Sequence, residues 1–250
     1  VPVGNNPEKN AAVVGLGARL VEEGRDYDES VAAAERLVRE EGLHLVHSTN
    51  DATVVAGAGT LTLEMLEEEP GIEALVFSVG GGSQAVGGLT VARALRPGLP
   101  VYAVQAAGAC AIHDAWHLGR PVSKPSAETF ADGLATRNTY PFTFGALREG
   151  LAGFVTVTDA EIAEAVRLVL STTHTLVEGA GAMALFLADG RIVVEGRAGA
   201  SQPPAAHPHL WVFDRGGAKL ADFELPLLPP GSLGIGPEVA PGRVVLWSQR

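Results

Sequence analysis

Glu73-Ala74-Leu75-Val76-Phe77-Ser78-Val79-Gly80-Gly81-Gly82-Ser83-Gln84-Ala85-Val86-Gly87-Gly88-Leu89 is the stretch that decides the fold. Leu75 to Val79 is a short apolar run with the length and β-branched content of a buried strand, and it breaks into three glycines followed by Ser83. A loop without side chains lets successive backbone N–H groups converge on one point. The segment from Gln84 to Leu95 reads as a helix whose positive N-terminal end faces the same point. Strand, glycine nest and helix together describe a seat for a phosphate, although a glycine triplet in that position also serves as a plain tight turn. The two common nucleotide motifs are not met: no lysine follows the glycines as G-x-x-x-x-G-K-[ST] requires, and Gly80 to Ala85 does not have the G-x-G-x-x-G spacing.

Outward from this stretch, helices and short apolar runs alternate. Asn5-Asn6-Pro7 is a turn before a helix, which gives way at Gly15 and Gly17 to a strand candidate at Ala18-Val21 ended by Gly24. Asp28 to Glu41 places Val31, Ala34, Leu37 and Val38 on one helical face, with Gly42 as the stop. Leu43 to Val46 is a further strand candidate, and Asp51 to Glu69 a helix closed by Pro70-Gly71. Beyond the glycine loop, Pro100 to Gln105 reads as a strand, Ile112 to Leu118 as a helix, Arg120 to Phe144 as a long ordered loop or a crossover between sheet halves, and Phe154 to Val157 as a strand. Thr158-Asp159-Ala160-Glu161 fits a capping box for a helix to Leu170, and Arg191 to Glu195 is the last strand candidate of this series. This order predicts an α/β fold, an open twisted mostly parallel sheet flanked by helices. From Gly196 onward prolines interrupt every pattern, so residues 196–250 are expected to form an irregular tail, with edge strands at Leu210-Phe213 and Val244-Trp247.

Composition narrows the partners. With 250 residues, 46% hydrophobic, a net charge of −11 and a pI near 5.1, the chain has a core of ordinary size and no basic stripe for nucleic acid or an anionic membrane. Cys110 is the only cysteine, which excludes an intramolecular disulfide and a Cys-based zinc site. There is no run of 18 apolar residues and no secretory leader pattern, so the expected location is cytoplasmic.

A set of blocks then becomes recognisable in order: Pro7-Glu8-Lys9-Asn10-Ala11-Ala12 with Gly17-Ala18, Val55-Ala56-Gly57-Ala58-Gly59-Thr60-Leu61-Thr62-Leu63-Glu64 after Asp51, and Val79 to Ser83. Thr129-Phe130-Ala131-Asp132-Gly133, Val157 to Ile162, and Val177 to Ala182 continue it. Over about residues 1 to 190 the chain resembles the pyridoxal-phosphate-dependent serine/threonine dehydratases, of the tryptophan-synthase-β-like fold type II. The resemblance implies pyridoxal 5′-phosphate as cofactor, with Gly80, Gly81, Gly82, Ser83 and Gln84 as its phosphate cup. It also implies Glu178 near the cofactor ring, where the residue equally reads as a helix-start carboxylate. Asp132 is expected to hold the loop at Gly133, and Glu128 is a weak candidate for a divalent cation, so no metal site is assigned. His113, His117 and His174 have no metal-ligand spacing and read as packing or surface residues.

Two departures from the family pattern set the expected function. The S-F-K-x-R-G-A-like segment with the Schiff-base lysine and the S-A-G-N-H-like loop are absent, and Lys9, Lys124 and Lys219 lie in no such context. The S-G-G-N-like motif that follows in relatives is replaced by Gly196-Arg197-Ala198-Gly199. No catalytic residue is therefore assigned. The expectation is a partial catalytic domain over 1–195, with 1–70 the remainder of a smaller subdomain and 71–195 the larger one. In full-length form it would convert L-threonine or L-serine to a 2-oxo acid and ammonia, as a homo-oligomer. The alternatives are a pseudoenzyme that binds the cofactor without chemistry, or a doubly wound domain binding another phosphorylated metabolite.

Overall fold

Leu75, Phe77 and Val79 alternate with half-buried Val76 and Ser78, and this period of two sets the first strand of the sheet on which the glycine loop stands. The computed structural model describes residues 1–72 and 74–185, together with the strand segments 192–197, 208–213 and 219–224. Helices α1 (Pro7–Gly15), α2 (Tyr27–Glu41) and α3 (Ala52–Glu68) precede strand β1 (Leu75–Ser78). Then come α4 (Ser83–Leu95), β2 (Val101–Ala106), α5 (Ala111–Leu118), α6 (Pro141–Gly150), β3 (Gly153–Val157), α7 (Asp159–Thr173) and the single turn α8 (Gly179–Ala182).

Strands β1, β2 and β3 form a parallel sheet in that order, with Leu75 opposite Val101 and Tyr102 opposite Gly153. Helices lie against both faces. Phe77, Val101 and Phe154 pack with Leu89 of α4, Ile112 of α5 and Leu147 of α6, whereas Val104, Ala106 and Val157 pack with Ile162 and Ala165 of α7 and with Met183. A parallel sheet buried on both faces reads as continuous apolar runs, which is the pattern of β2 apart from the buried Gln105. The alternating helices and parallel strands expected from the sequence are thus present.

Local signals explain where several elements start and stop. Asn6 accepts from Glu8 and Lys9 N–H at the head of α1, Asp26 caps α2, and Gly42 ends α2 in the left-handed region. Thr158 and Glu161 form the reciprocal capping box at α7. Helices α3 and α4 approach closely through Gly59, Gly87 and Gly88: a Cβ on Gly88 would lie 2.2 Å from the Phe77 ring, and one on Gly87 2.6 Å from Gly59 N. That contact fixes the direction in which α4 points its N-terminus.

Four expectations are corrected. Residues 18–21 form no strand, and the neighbouring chain instead bonds to the amino end through Glu23 N–H to Val1 O and Val3 N–H to Gly24 O. Residues 43–46 form no strand either, with Leu43 and Val46 exposed and no ladder partner among the described residues. The loop expected over 120–144 ends at Tyr140, because α6 begins at Pro141, whose missing N–H is harmless at a helix start. Leu210 to Phe213 is not at an edge: β5 (Pro208–Phe213) lies between β4 (Ile192–Arg197) and β6 (Lys219–Glu224) in an antiparallel meander. Val244 to Trp247 lies outside the described residues. No helix among the described residues is long and apolar enough to cross a membrane.

Candidate functional site

The glycine loop leaves β1 at Val79, whose N–H still bonds Val104 O, and turns into α4 at Gly82, which has φ +95°. A side chain at that φ is strained, and a Cβ on Gly82 would also meet the Leu147 methyl at 2.8 Å. Gly81 is tighter still, since its Cβ would stand 2.0 Å from Thr49 Oγ1. Gly80 runs against the backbone of Leu134 and Gly133. The loop is therefore enclosed on three sides, and it opens toward the half-buried Ser83 and the exposed Gln84.

Every carbonyl of the triplet is held from outside the nest. Gln105, fully buried, donates Nε2–H to Gly80 O at 3.4 Å while its Oε1 accepts from His113 N–H at 2.9 Å. Thr143 Oγ1 donates to Gly81 O at 2.8 Å, and Val86 N–H to Gly82 O at 2.9 Å. In contrast, the N–H groups of Gly80, Gly81, Gly82, Ser83 and Gln84 donate to no acceptor among the described residues. A run of free N–H groups at the start of a 13-residue helix, with the helix dipole behind it, fits a phosphate dianion in donor chemistry, charge and lack of obstructing side chains. The residues expected to hold the phosphate are thereby brought together.

The other expected residue lies at the start of α8. Glu178 caps α8, accepting from Ala180 N–H and Gly181 N–H at 2.9 Å each, so its helix-start reading is realised in the structure. Its turn borders the 129–134 loop, because a Cβ on Gly179 would meet Phe130 and Ala131. Asp132 does not hold that loop with its side chain but reaches out to Lys9 Nζ at 2.8 Å. Asp159 does the holding, accepting from Thr129 Oγ1 at 2.7 Å and Phe130 N–H at 3.1 Å.

Lys124 is paired with Asp114, which also meets His113 Nδ1 at 3.1 Å. Burial pushes the Cys110 thiol up, and the Asp114 charge adds to it, so the thiol stays protonated near neutral pH. The His113 and His117 rings lie 4.4 Å apart, tilted by 58°, and His174 ends α7 with φ +56°. Among the described residues no three His, Cys, Asp or Glu side chains, Glu128 included, group as metal ligands. Glu128 instead lays its backbone against Gly108.

Gln105, Thr143 and Thr49 were not singled out from the sequence, and Asp159 entered only as part of the capping-box segment. Their partners lie many residues away in the chain, and only the small residues at 80–82 hinted that something packs against that loop.

The family model described as "Pyridoxal-phosphate dependent enzyme" matches residues 1–202. The chain is similar to an L-threonine ammonia-lyase of Geobacter sulfurreducens, at 36% identity over 74% of this chain and 46% of that protein. It is similar to one of Thermotoga maritima at 32% over 73% and 45%. The chain thus spans less than half the length of these curated relatives. Among solved structures it resembles the processed form of threonine deaminase isoform 2 from Solanum lycopersicum (TM-score 0.68, 30% identity, 73% of this chain and 53% of that one). It also resembles maize serine racemase (TM-score 0.68, 25% identity, 73% and 55%).

Proposed function

From the premise that the chain belongs to the pyridoxal-phosphate-dependent enzyme family, with the fold type II architecture, we propose that it forms the phosphate-anchoring part of an L-threonine or L-serine ammonia-lyase. The observation that carries this reading is the row of unpaired N–H groups from Gly80 to Gln84 at the N-terminus of α4. Pyridoxal phosphate, when bound, supplies an electron sink for charge developing at the substrate α-carbon. The chain's own residues supply its anchor. Gly80 to Gln84 donate N–H groups to the phosphate and Ser83 adds a hydroxyl, a neutral cradle strengthened by the dipole of α4. Gln105 and Thr143 keep the loop carbonyls turned away, so that no acceptor oxygen opposes the anion. Glu178 is assigned to the side of the cofactor ring, held in place by its own cap bonds.

The proton-transferring amine is not assigned to this chain. Lys9 and Lys124 are both engaged by carboxylates, and the proposed activity belongs to a polypeptide that joins these residues to a lysine-bearing segment. The same observation favours a second reading, a cofactor-binding protein without chemistry.

Both readings require the seat. The test is titration of the purified chain with 4′-deoxypyridoxine 5′-phosphate, which has the phosphate but no aldehyde, and with pyridoxine, which has neither. The expected result is saturable binding of the phosphate ester, with amide NMR shifts at Gly80, Gly81 and Gly82, and no such shifts with pyridoxine. Binding that leaves those amides unmoved sinks the assignment. Threonine-dependent 2-oxo acid release by the chain joined to a relative's lysine-bearing segment then separates the enzyme from the pseudoenzyme.

A further inference from the structure

The connector between α2 and α3 reaches the glycine loop at Gly81, and it is organised by one imidazole. His47 Nδ1 accepts from Thr49 N–H at 3.0 Å and from Asn50 N–H at 2.9 Å, which closes residues 47–50 into a tight turn. Accepting twice requires that Nδ1 carry no proton, so the ring is the Nε2–H tautomer. The ring stands edge-on to Tyr140 at 5.6 Å, and Tyr140 is itself fastened by its hydroxyl to Asp28 Oδ1 at 2.8 Å.

Two routes lead from this turn to Gly81. On one, Thr49, only 4% exposed, lays its side chain so close over Gly81 that no Cβ fits. On the other, Asn50 Oδ1 accepts Phe142 N–H at 3.0 Å, filling a free donor in the first turn of α6, where no local side chain caps the helix. The next residue, Thr143, donates to Gly81 O at 2.8 Å. The N–H groups of Thr49 and Asn50, the residues that take these routes, are the two gathered by the same nitrogen.

We infer that His47 is a positioning residue for the cofactor phosphate: through Thr49 and Asn50 it holds Gly81 by two separate contacts and so fixes where the N–H groups of the loop point. This rests on the reading that Gly80 to Gln84 hold a phosphate. Two variants separate the imidazole's parts. His47→Phe keeps a ring for Tyr140 and loses the acceptor; His47→Asn loses the ring and keeps an oxygen acceptor close to the Nδ1 position. The expected result is that His47→Phe weakens 4′-deoxypyridoxine 5′-phosphate binding about tenfold or more, while His47→Asn stays within about threefold of the wild type. Hydrogen exchange at Phe142 N–H gives a readout free of ligand: protection falls in His47→Phe and persists in His47→Asn. Should His47→Phe not fold, Thr49→Ala and Asn50→Ala each remove one route, and each is expected to weaken binding. Wild-type affinity in His47→Phe, equal losses in the Phe and Asn variants, or unchanged affinity in both route variants overturns the inference. A wild-type chain that binds no phosphate ester defeats the functional reading instead, and Phe142 exchange still reports on His47.

Discussion

Helix α1 buries none of its side chains and α2 only Ala33, whereas α4 buries Ala85, Val86, Gly87, Gly88, Leu89 and Ala92. Val14, Leu16 and Val46, all before β1, are 54%, 89% and 69% exposed, while Val79, Ala85 and Ile112 are fully buried. The two regions also differ in how they touch the glycine loop. The region after residue 74 forms it, through β1, α4, Gln105 and Thr143. The region before residue 72 touches it through Thr49 of the 47–50 turn, and meets the elements around it through the packing of α3 on α4 and a polar junction between the head of α2 and residues 137–140. The proposed seat is therefore built where packing is dense, and the amino-terminal region sharpens it through a few directed contacts.

The contact at Gly81 is where the two regions press hardest, and breaking it gives the largest effect. Gly81→Ala puts a methyl on Thr49 Oγ1, and overpacking of this kind weakens binding of the phosphate ester by about 10- to 100-fold. Adding Thr49→Gly removes the obstacle and is expected to recover part of the loss, as isothermal titration calorimetry would show. If the double variant is no better than Gly81→Ala, the loop is not pressed from the amino-terminal side.

Packing density itself sets the next effect. Leu147 is fully buried beneath Gly82, so Leu147→Ala is expected to destabilise the chain by about 2–5 kcal/mol in urea unfolding. Val14→Ala, on the exposed face of α1, is expected to change stability by about 0.5 kcal/mol or less. Comparable losses at the two sites would mean that the regions are equally packed.

The same difference governs what the sequence reveals. The Gly80-Gly81-Gly82 loop, the Thr158–Glu161 capping box and the Gly42 stop are legible because each is a local rule satisfied within a few residues. Ala18-Val21 and Leu43-Val46 have strand composition, but a strand also needs a ladder partner, and composition does not supply one. Helix α6 is hidden by Pro141, Gly145 and two phenylalanines, weak helix formers together, and is held by burial of Thr143 and Leu147. In the site, the glycines are legible and their supports are not. Thr143 meets Gly81 across 62 residues and Asn50 meets Phe142 across 92, and no periodicity encodes either pairing.

The polar junction between the regions gives an effect of intermediate size. Arg137 donates Nε–H to Asp26 at 2.7 Å, and Asp28 accepts from Arg137 N–H, Asn138 and Tyr140. Burial works against the Asp26 charge, but the hydrogen bonds from Arg137 and Glu29 N–H and the Arg137 and Arg25 charges outweigh it, holding the carboxyl below its usual range. A carboxyl depressed in the folded state stabilises above its unfolded value, about 3.9, and that stability is lost as pH falls through the lower folded value. Asp26→Asn is expected to cost about 1–3 kcal/mol at neutral pH. It is also expected to flatten the fall in stability below about pH 4. An unchanged acid limb in pH-dependent urea titrations would remove Asp26 from the junction's energetics.

Lys9 and Asp132 also join the two regions, at 2.8 Å, but with 59% and 61% of their side chains exposed. The hydrogen bond and charge of Asp132 raise the lysine above its ordinary value, against a small opposing effect of burial, with Glu178 adding to the rise. Stability from a raised amine is fully present below its unfolded value, about 10.4, and is lost only as pH climbs through the folded value. At neutral pH Lys9 is thus a held cation, the reverse of the depressed, desolvated amine that nucleophilic catalysis needs. An exposed pair contributes about 0.2–1 kcal/mol, so Lys9→Met is expected to shift stability by no more than that and to leave binding of the phosphate ester within about twofold. In about 1 M salt, where the screening length falls to about 3 Å, the small difference from wild type should shrink further. A tenfold loss of binding in Lys9→Met would instead make this pair, and not the turn at His47, the contact through which the amino-terminal region acts on the proposed phosphate seat.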